Sequence, residues 1–241
     1  KESFMDRKGS WNPLIYCWRG GLRSKSMSII LSEIGWRPVQ LQGGYKTYRK
    51  DVILLLNRYA PKLKLYLICG KTGTAKTKIL QKIKLFGGQV LDLEDLANHK
   101  GSLLGKNIKK PQPTQKFFES LILNEITKFN FRKKIFVEAE SSKIGNLHIP
   151  KELWKNMLLS KRIQIVSEIR NRVDYLLNDY QYMCKDVSFF EPAIKGLKNK
   201  INKQIILEWQ NLILQKDWRK LTRSFLLNHY DPSYDTKNNL K

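Results

Sequence analysis

The chain has 241 residues, 41% of them hydrophobic; that is enough for one large or two small domains with a sizeable core, and no apolar run approaches the roughly 20 residues a membrane helix needs. The formal net charge of +24 is spread as +7 over residues 1–60 and +17 over the remainder, so it is a basic surface and not a basic tail, and it points to a polyanionic partner such as nucleic acid. Three cysteines (Cys17, Cys69, Cys184) without CxxC spacing and three histidines (His99, His148, His229) without metal-ligand spacing argue against a disulfide framework, a zinc site or a histidine metal centre, and suit a reducing cytoplasm.

The opening KESFMDRKGS has neither an apolar signal-peptide core nor an initial Met, so a fragment, or a start inside a longer protein, is expected. PLIYC (Pro13 to Cys17) is an apolar run ending at a glycine loop and predicts a buried strand. Ser24 is placed to cap a helix reaching about Ile34, with SMSIILSEI as its apolar face and Gly35 as its stop. PVQLQGGY predicts a second strand and turn, and YKTYRKDVILLLNRY a helix ending at Pro61. A new pattern starts at Leu63: LKLYLIC as strand, GKTGTAKT as loop, and KILQKIKLF as a helix stopped by Gly87 and Gly88. QVLDL and KIFVEA read as further strands on either side of a helix over Gln115–Phe129. That helix carries apolar residues at 117, 118, 121, 122, 126 and 129, the spacing of one helical face. RIQIV is the last strand, followed by a helix from about Glu168 to Tyr180, and from Ile201 onward two helices are expected with no strand.

Strands alternating with helices predict an α/β fold, with a parallel sheet covered on both faces and capped by a helical C-terminus. The boundary between two units falls in NRYAPK, giving residues 1–60 and 61–241.

Two short stretches carry chemistry. Gly70, Gly73, Lys76 and Thr77 match G-x-x-x-x-G-K-[ST] except that Ala75 stands where the last glycine belongs. The pattern calls for backbone N–H groups around a phosphate, a lysine on its outer oxygens and a hydroxyl for Mg²⁺. Ala75 is compatible with it if φ there is negative. Glu138, ending its strand, is the candidate for a Walker-B-like carboxylate, and Asp92 competes for that role; either can instead cap a turn. Lys71, His99, Lys100 and Ser102 are further candidates for phosphate contact.

The other stretch is YCWRGGLRS. Cys17 ends a strand and is followed by a loop leading into a helix, so loop N–H groups, the helix N-terminus and the cations Arg19 and Arg23 would favour a thiolate. Cys69 and Cys184 lack such surroundings and read as core cysteines. The six tryptophans (Trp11, Trp18, Trp36, Trp154, Trp209, Trp218) read chiefly as core, with a base-stacking platform as the alternative.

CWRGGLRS with VQLQGGYKTYR looks like the second half of a rhodanese domain. Joined to the phosphate loop, and with VLDLEDLANHKGSLLG, PQPTQKFFE, FVEAESSKIGNLHIP and NHYDPSY following in order, it resembles the bacterial tRNA 2-selenouridine synthase family across almost the whole chain. The resemblance implies a wobble 2-thiouridine of tRNA that is S-geranylated from geranyl diphosphate and then converted to 2-selenouridine with selenophosphate. It further implies contact with the tRNA anticodon region, no membrane, and a cytoplasmic enzyme. Lys76 and Thr77 would hold the diphosphate, Glu138 or Asp92 would assist through Mg²⁺ or water, and Cys17 would be the nucleophile or carrier for selenium. The chain departs from the family at Ala75 and in carrying only the second half of the rhodanese domain, so an N-terminal truncation is expected. Two other readings stand beside this one: a P-loop kinase or NTPase with a vestigial rhodanese segment, and a non-catalytic basic RNA-binding remnant.

Overall fold

A computed structural model describes residues 7–99, 111–139, 141–181, 187, 190–197 and 201–238. The chain divides into two compact units, Lys1–Tyr59 and Ala60–Lys241.

In the first unit, β1 (Leu14–Ile15) pairs in parallel with β2 (Val39–Gln40), with Leu14 opposite Val39 and Ile15 opposite Gln40. Helices α1 (Leu22–Glu33) and α2 (Gly44–Tyr59) complete it. Both strands are shorter than their apolar runs predict. The expected apolar face of α1 is largely uncovered, with Leu31 buried but Ile29, Ile30 and Ile34 each more than half exposed. Two residues of ladder present too little sheet to bury a twelve-residue helix.

The second unit is built on a four-stranded parallel sheet in the order β4-β5-β3-β8. Its strands are β3 (Lys64–Cys69), β4 (Gln89–Leu91), β5 (Lys134–Glu138) and β8 (Lys161–Gln164). Strand alternation sends Ile68 and Val90 to one face, where they pack with Leu80 of α3 (Lys76–Leu85). Leu65, Leu67, Ile135 and Val137, which alternate to the other face, are all nearly or fully buried. The right-handed crossover rule puts α5 (Gln115–Ile126) and α6 (Lys151–Leu159) on that face. Each brings fully buried apolar groups, Phe118, Ile122 and Ile126 from α5, Leu153 and Met157 from α6. The short α4 (Leu93–Leu96) follows β4, and α7 (Ile169–Asp179) follows β8.

Between β5 and α6 the structure adds a feature the sequence reading lacks, an antiparallel hairpin of β6 (Lys143–Ile144) and β7 (Leu147–His148). Gln112 and Gln115 hold it. Gln112 donates to the carbonyls of Ala97 and Ile144 and accepts from Asn146 N–H, and Gln115 exchanges both backbone bonds with His148. The strings PQPTQ and KIGNLHIP, remote in sequence, therefore meet in space.

The helical C-terminus contains α8 (Phe190–Leu197), α9 (Lys203–Leu214) and α10 (Trp218–Phe225). A π-helical turn over Leu226–Tyr230 then leads into α11 (Asp231–Asn238). Trp209 is fully buried in this cluster, its ring 4.2 Å from that of Phe225 and its indole N–H donating to Ser224 Oγ. That matches the reading of most tryptophans as packing groups; Trp18, 48% exposed, is the exception on the cysteine loop. Among the described residues no helix is long and apolar enough to cross a membrane.

Candidate functional site

In the first unit the site forms where β1 and β2 end. Cys17 follows β1, and α1 begins at Leu22 with Gly21 as its N-cap, three residues earlier than the expected cap at Ser24. Ser24 lies instead inside the first turn, buried, with its hydroxyl 3.3 Å from Cys17 Sγ. Gln40 of β2 fixes that hydroxyl by donating to it at 2.8 Å, and donates also to Gly20 O at 2.9 Å. The first turn of α2 anchors the other side of the loop, Tyr45 N–H donating to Cys17 O and Lys46 N–H to Trp18 O. Gly20 and Gly44, both at positive φ, let the two loops pass backbone against backbone. A Cβ on Gly44 would overlap Cys17 O and Gly20 N.

The start of α1 thus faces a half-buried sulfur, while the start of α2 holds the carbonyls of Cys17 and Trp18. The hydroxyl of Ser24 holds the Cys17 thiol down to about 6, against burial, with help from the backbone N–H groups of Ser24, Arg19 and Gly21. Arg19 acts here through its main chain, and the side chains of Arg19 and Arg23 are exposed. The groups in contact with the sulfur that hold the thiol down are a hydroxyl and backbone amides. Ser24 and Gln40 are the functional neighbours that sequence reasoning missed. The signal was a polar Gln in an otherwise apolar strand.

In the second unit, β3 delivers the chain into the loop before α3. Ala75 has φ 59° and ψ 29°, a left-handed conformation, so the compatibility expected from a negative φ does not hold. An L-residue there costs about 1–2 kcal/mol, and the position is one that glycine fills without strain. Lys76 Nζ lies 2.9 Å from Gly70 O and 3.3 Å from Glu138 Oε1, and Thr77 donates its hydroxyl to Glu138 Oε2 at 3.2 Å. Glu138 is 7% exposed. Burial pushes its carboxyl up while Lys76 and Thr77 pull it down.

Of the two candidate carboxylates, Glu138 is the one that meets Lys76 and Thr77. Asp92 caps α4, accepting from Asp95 N–H at 3.0 Å, and burial pushes its carboxyl up. It is still close enough to Glu138 to raise that group too. Tyr175 joins the same region. Burial first, and then the nearby charges of Asp179, Glu138 and Glu94, push its hydroxyl up to about 12, and Lys78 Nζ lies 4.9 Å from its ring centroid. Neither Glu94 nor Tyr175 was visible as a site residue in the sequence, because each reads there as an ordinary helix position. Burial pushes the His99 imidazole down, while Lys100, Ser102 and Cys184 lie outside the described residues. Cys69 is buried, as a core cysteine should be. Among the described residues no group of three or more His, Cys, Asp and Glu side chains is arranged to hold a metal ion.

Chemically, the two sites differ in kind. The first offers a nucleophilic sulfur at neutral pH. The second offers a lysine, a hydroxyl and a carboxylate at a helix N-terminus, where orphan N–H groups favour an anion.

The family model described as the tRNA 2-selenouridine synthase AAA domain matches residues 63–204. A tRNA 2-selenouridine synthase of Shewanella denitrificans is 29% identical over 254 residues, covering 92% of this chain and 66% of its own. That of Alcanivorax borkumensis is 29% identical over 255 residues, covering 93% and 68%. Over a shorter span, the protein of Bdellovibrio bacteriovorus is 36% identical across 171 residues, 69% of this chain and 44% of its own. The chain thus spans about two thirds of the length of the first two relatives. No solved structure matches it.

Proposed function

The chain belongs to the tRNA 2-selenouridine synthase family, and from that premise we propose that it modifies the wobble uridine of tRNA in two linked transfers, one served by each site. In this reading residues 1–60 are the second half of a rhodanese-like domain and residues 61–241 a P-loop α/β domain. The sulfur of 2-thiouridine attacks C1 of geranyl diphosphate; the S–C bond forms as the C–O bond to diphosphate breaks. Lys76, Thr77 and the loop amides at Gly70 and Gly73 hold the diphosphate and neutralise the charge that develops on it. In the second transfer Cys17 acts as the nucleophile at C2 and expels the S-geranyl group as geranylthiol; the selenium of selenophosphate then displaces Cys17 from C2, and water takes the phosphoryl group from selenium as phosphate, leaving 2-selenouridine. An S-alkylated sulfur leaves more readily than a thiocarbonyl, so the order is chemically sound.

The observation that carries the reading is the pairing, in one chain, of a thiol held down to about 6 with a lysine–threonine–carboxylate triad at a helix N-terminus. A magnesium ion fits the second site only with help from the ligand. Thr77 and Glu138 supply a hydroxyl and one carboxylate, and the remaining oxygens would come from diphosphate and water, as Mg²⁺ commonly accepts. Such an ion would supply charge neutralisation at the leaving group.

The test combines the protein with tRNA containing 2-thiouridine, geranyl diphosphate and selenophosphate, with nucleoside mass spectrometry as the readout. The expected result is 2-selenouridine from the parent, arrest at the geranylated nucleoside in Cys17→Ser, and no geranylation in Lys76→Ala. Nucleotide hydrolysis independent of Cys17, with no tRNA product, would replace this reading by that of an NTPase. Bound but unmodified tRNA would reduce it to RNA binding.

A further inference from the structure

The segment after α10 lies outside the residues matched by the family model, yet it lies directly on the loop before α3. The Gly70 N–H donates to the hydroxyl oxygen of Tyr234 at 3.0 Å. Asp231 takes a two-pronged bond from Arg172, at 2.9 and 2.6 Å, while Arg172 Nε donates to Thr72 O at 2.8 Å. Lys71 Nζ is 3.7 Å from the same Asp231 carboxylate. Three consecutive loop residues, Gly70, Lys71 and Thr72, are therefore held by Asp231 and Tyr234, directly or through Arg172. Arg172 is 3% exposed, so its guanidinium needs the carboxylate. Gly73 closes against the same helix; a Cβ there would stand 3.0 Å from Arg172 O and 3.1 Å from Leu176 Cδ1. The π-helical turn at Leu226–Tyr230 resets the helical register just before this point, and the three-residue spacing of Asp231 and Tyr234 puts both on one face.

The chemistry of the phenol gives this contact a direction. Its oxygen already accepts from Gly70, so its own proton is what it has left to give, and the Gly70 dipole polarises it for that donation. We propose that the Asp231–Tyr234 turn is a working part of the anion site at Lys76. Asp231 positions the loop through Arg172, and the Tyr234 hydroxyl relays the Gly70 donation to an oxygen of a diphosphate group. This rests on reading the Lys76–Thr77 loop as a phosphate site. The recognised chemistry is the diphosphate itself, which geranyl diphosphate and a nucleotide share.

The test is calorimetric titration of the full chain with inorganic pyrophosphate, alongside thermal melting. Tyr234→Phe keeps the ring and is expected to weaken binding about tenfold, the size of one hydrogen bond to a charged group, with the melting temperature lowered by no more than about 4 °C, the cost of one lost hydrogen bond in a chain of this size. Asp231→Asn strands the buried Arg172 and can unfold the segment. The double variant R172M/D231L replaces the pair with apolar groups of similar size, and is expected to stay folded while binding weakens by a similar factor. Repeating the titration with geranyl diphosphate and with ATP separates the two sources. The ester whose binding Tyr234→Phe weakens is the ligand that the relay serves, and weakening of neither overturns the proposal.

Binding by Tyr234→Phe within twofold of the parent, with Lys76→Ala abolishing it, sinks the relay and leaves the phosphate site standing. Tighter binding by Tyr234→Phe would make the turn a plug rather than a partner and also overturns the proposal. A parent that binds no pyrophosphate removes the phosphate-site reading and the proposal together.

Discussion

Cys17 is half-buried, and burial alone would push its thiol up; the Ser24 hydroxyl and three backbone N–H groups bring it down to about 6 from an ordinary 9.0. The sign follows directly. At pH 7 most of Cys17 is thiolate, at pH 5 most is thiol, and the stabilisation of the folded loop by the ionised sulfur is lost as pH falls through about 6. Alkylation of the Cys17 peptide by iodoacetamide, followed by mass spectrometry across pH, is expected to be half-maximal near 6. In Ser24→Ala the midpoint is expected to move toward the ordinary value, because the largest single cause has gone. A parent profile that titrates near 9 would sink this account. Ala75 gives the opposite lesson at the same scale: sequence identifies the missing glycine, but only the backbone angle reveals that the position is left-handed.

At the scale of elements, the strand–loop–helix unit from Lys64 to Leu85 forms where its apolar pattern places it. The hairpin at β6 and β7 was illegible because each strand has only two residues, too few for any period to register. Its stability comes from elsewhere in the chain, chiefly from Gln112, whose amide makes three bonds to Ala97, Ile144 and Asn146. Gln112→Ala leaves those backbone groups without their partner and is expected to cost about 2 kcal/mol. In urea unfolding the midpoint should fall while the slope stays unchanged. A midpoint matching the parent would mean that water replaces the amide at no cost.

For the whole molecule, the net charge of +24 is the property that most directly governs tRNA binding if the proposed function holds. Each phosphate neutralised releases counterions, so a plot of log affinity against log salt is expected to fall with a slope steeper than about −3, corresponding to some four or more phosphates. Filter binding of tRNA across a salt series measures it. A slope shallower than about −1 would mean that the basic surface is not the docking surface. The apolar residues left exposed in the first unit, Leu22 at 82% and Ile34 at 59% among them, show that composition does not decide burial.

The sequence by itself determined the parallel α/β pattern of the second unit, the cysteine loop and the phosphate-loop string, because each is encoded in residues adjacent along the chain, by periodicity or by spacing. Only the tertiary structure decided which groups complete those sites. Ser24 and Gln40 complete the one at Cys17, and Glu138, rather than Asp92, meets Lys76 and Thr77. Tyr234 and Gly70, 164 residues apart, share a hydrogen bond. Such partners are chosen by where strands end and helices cross, and no local pattern records that.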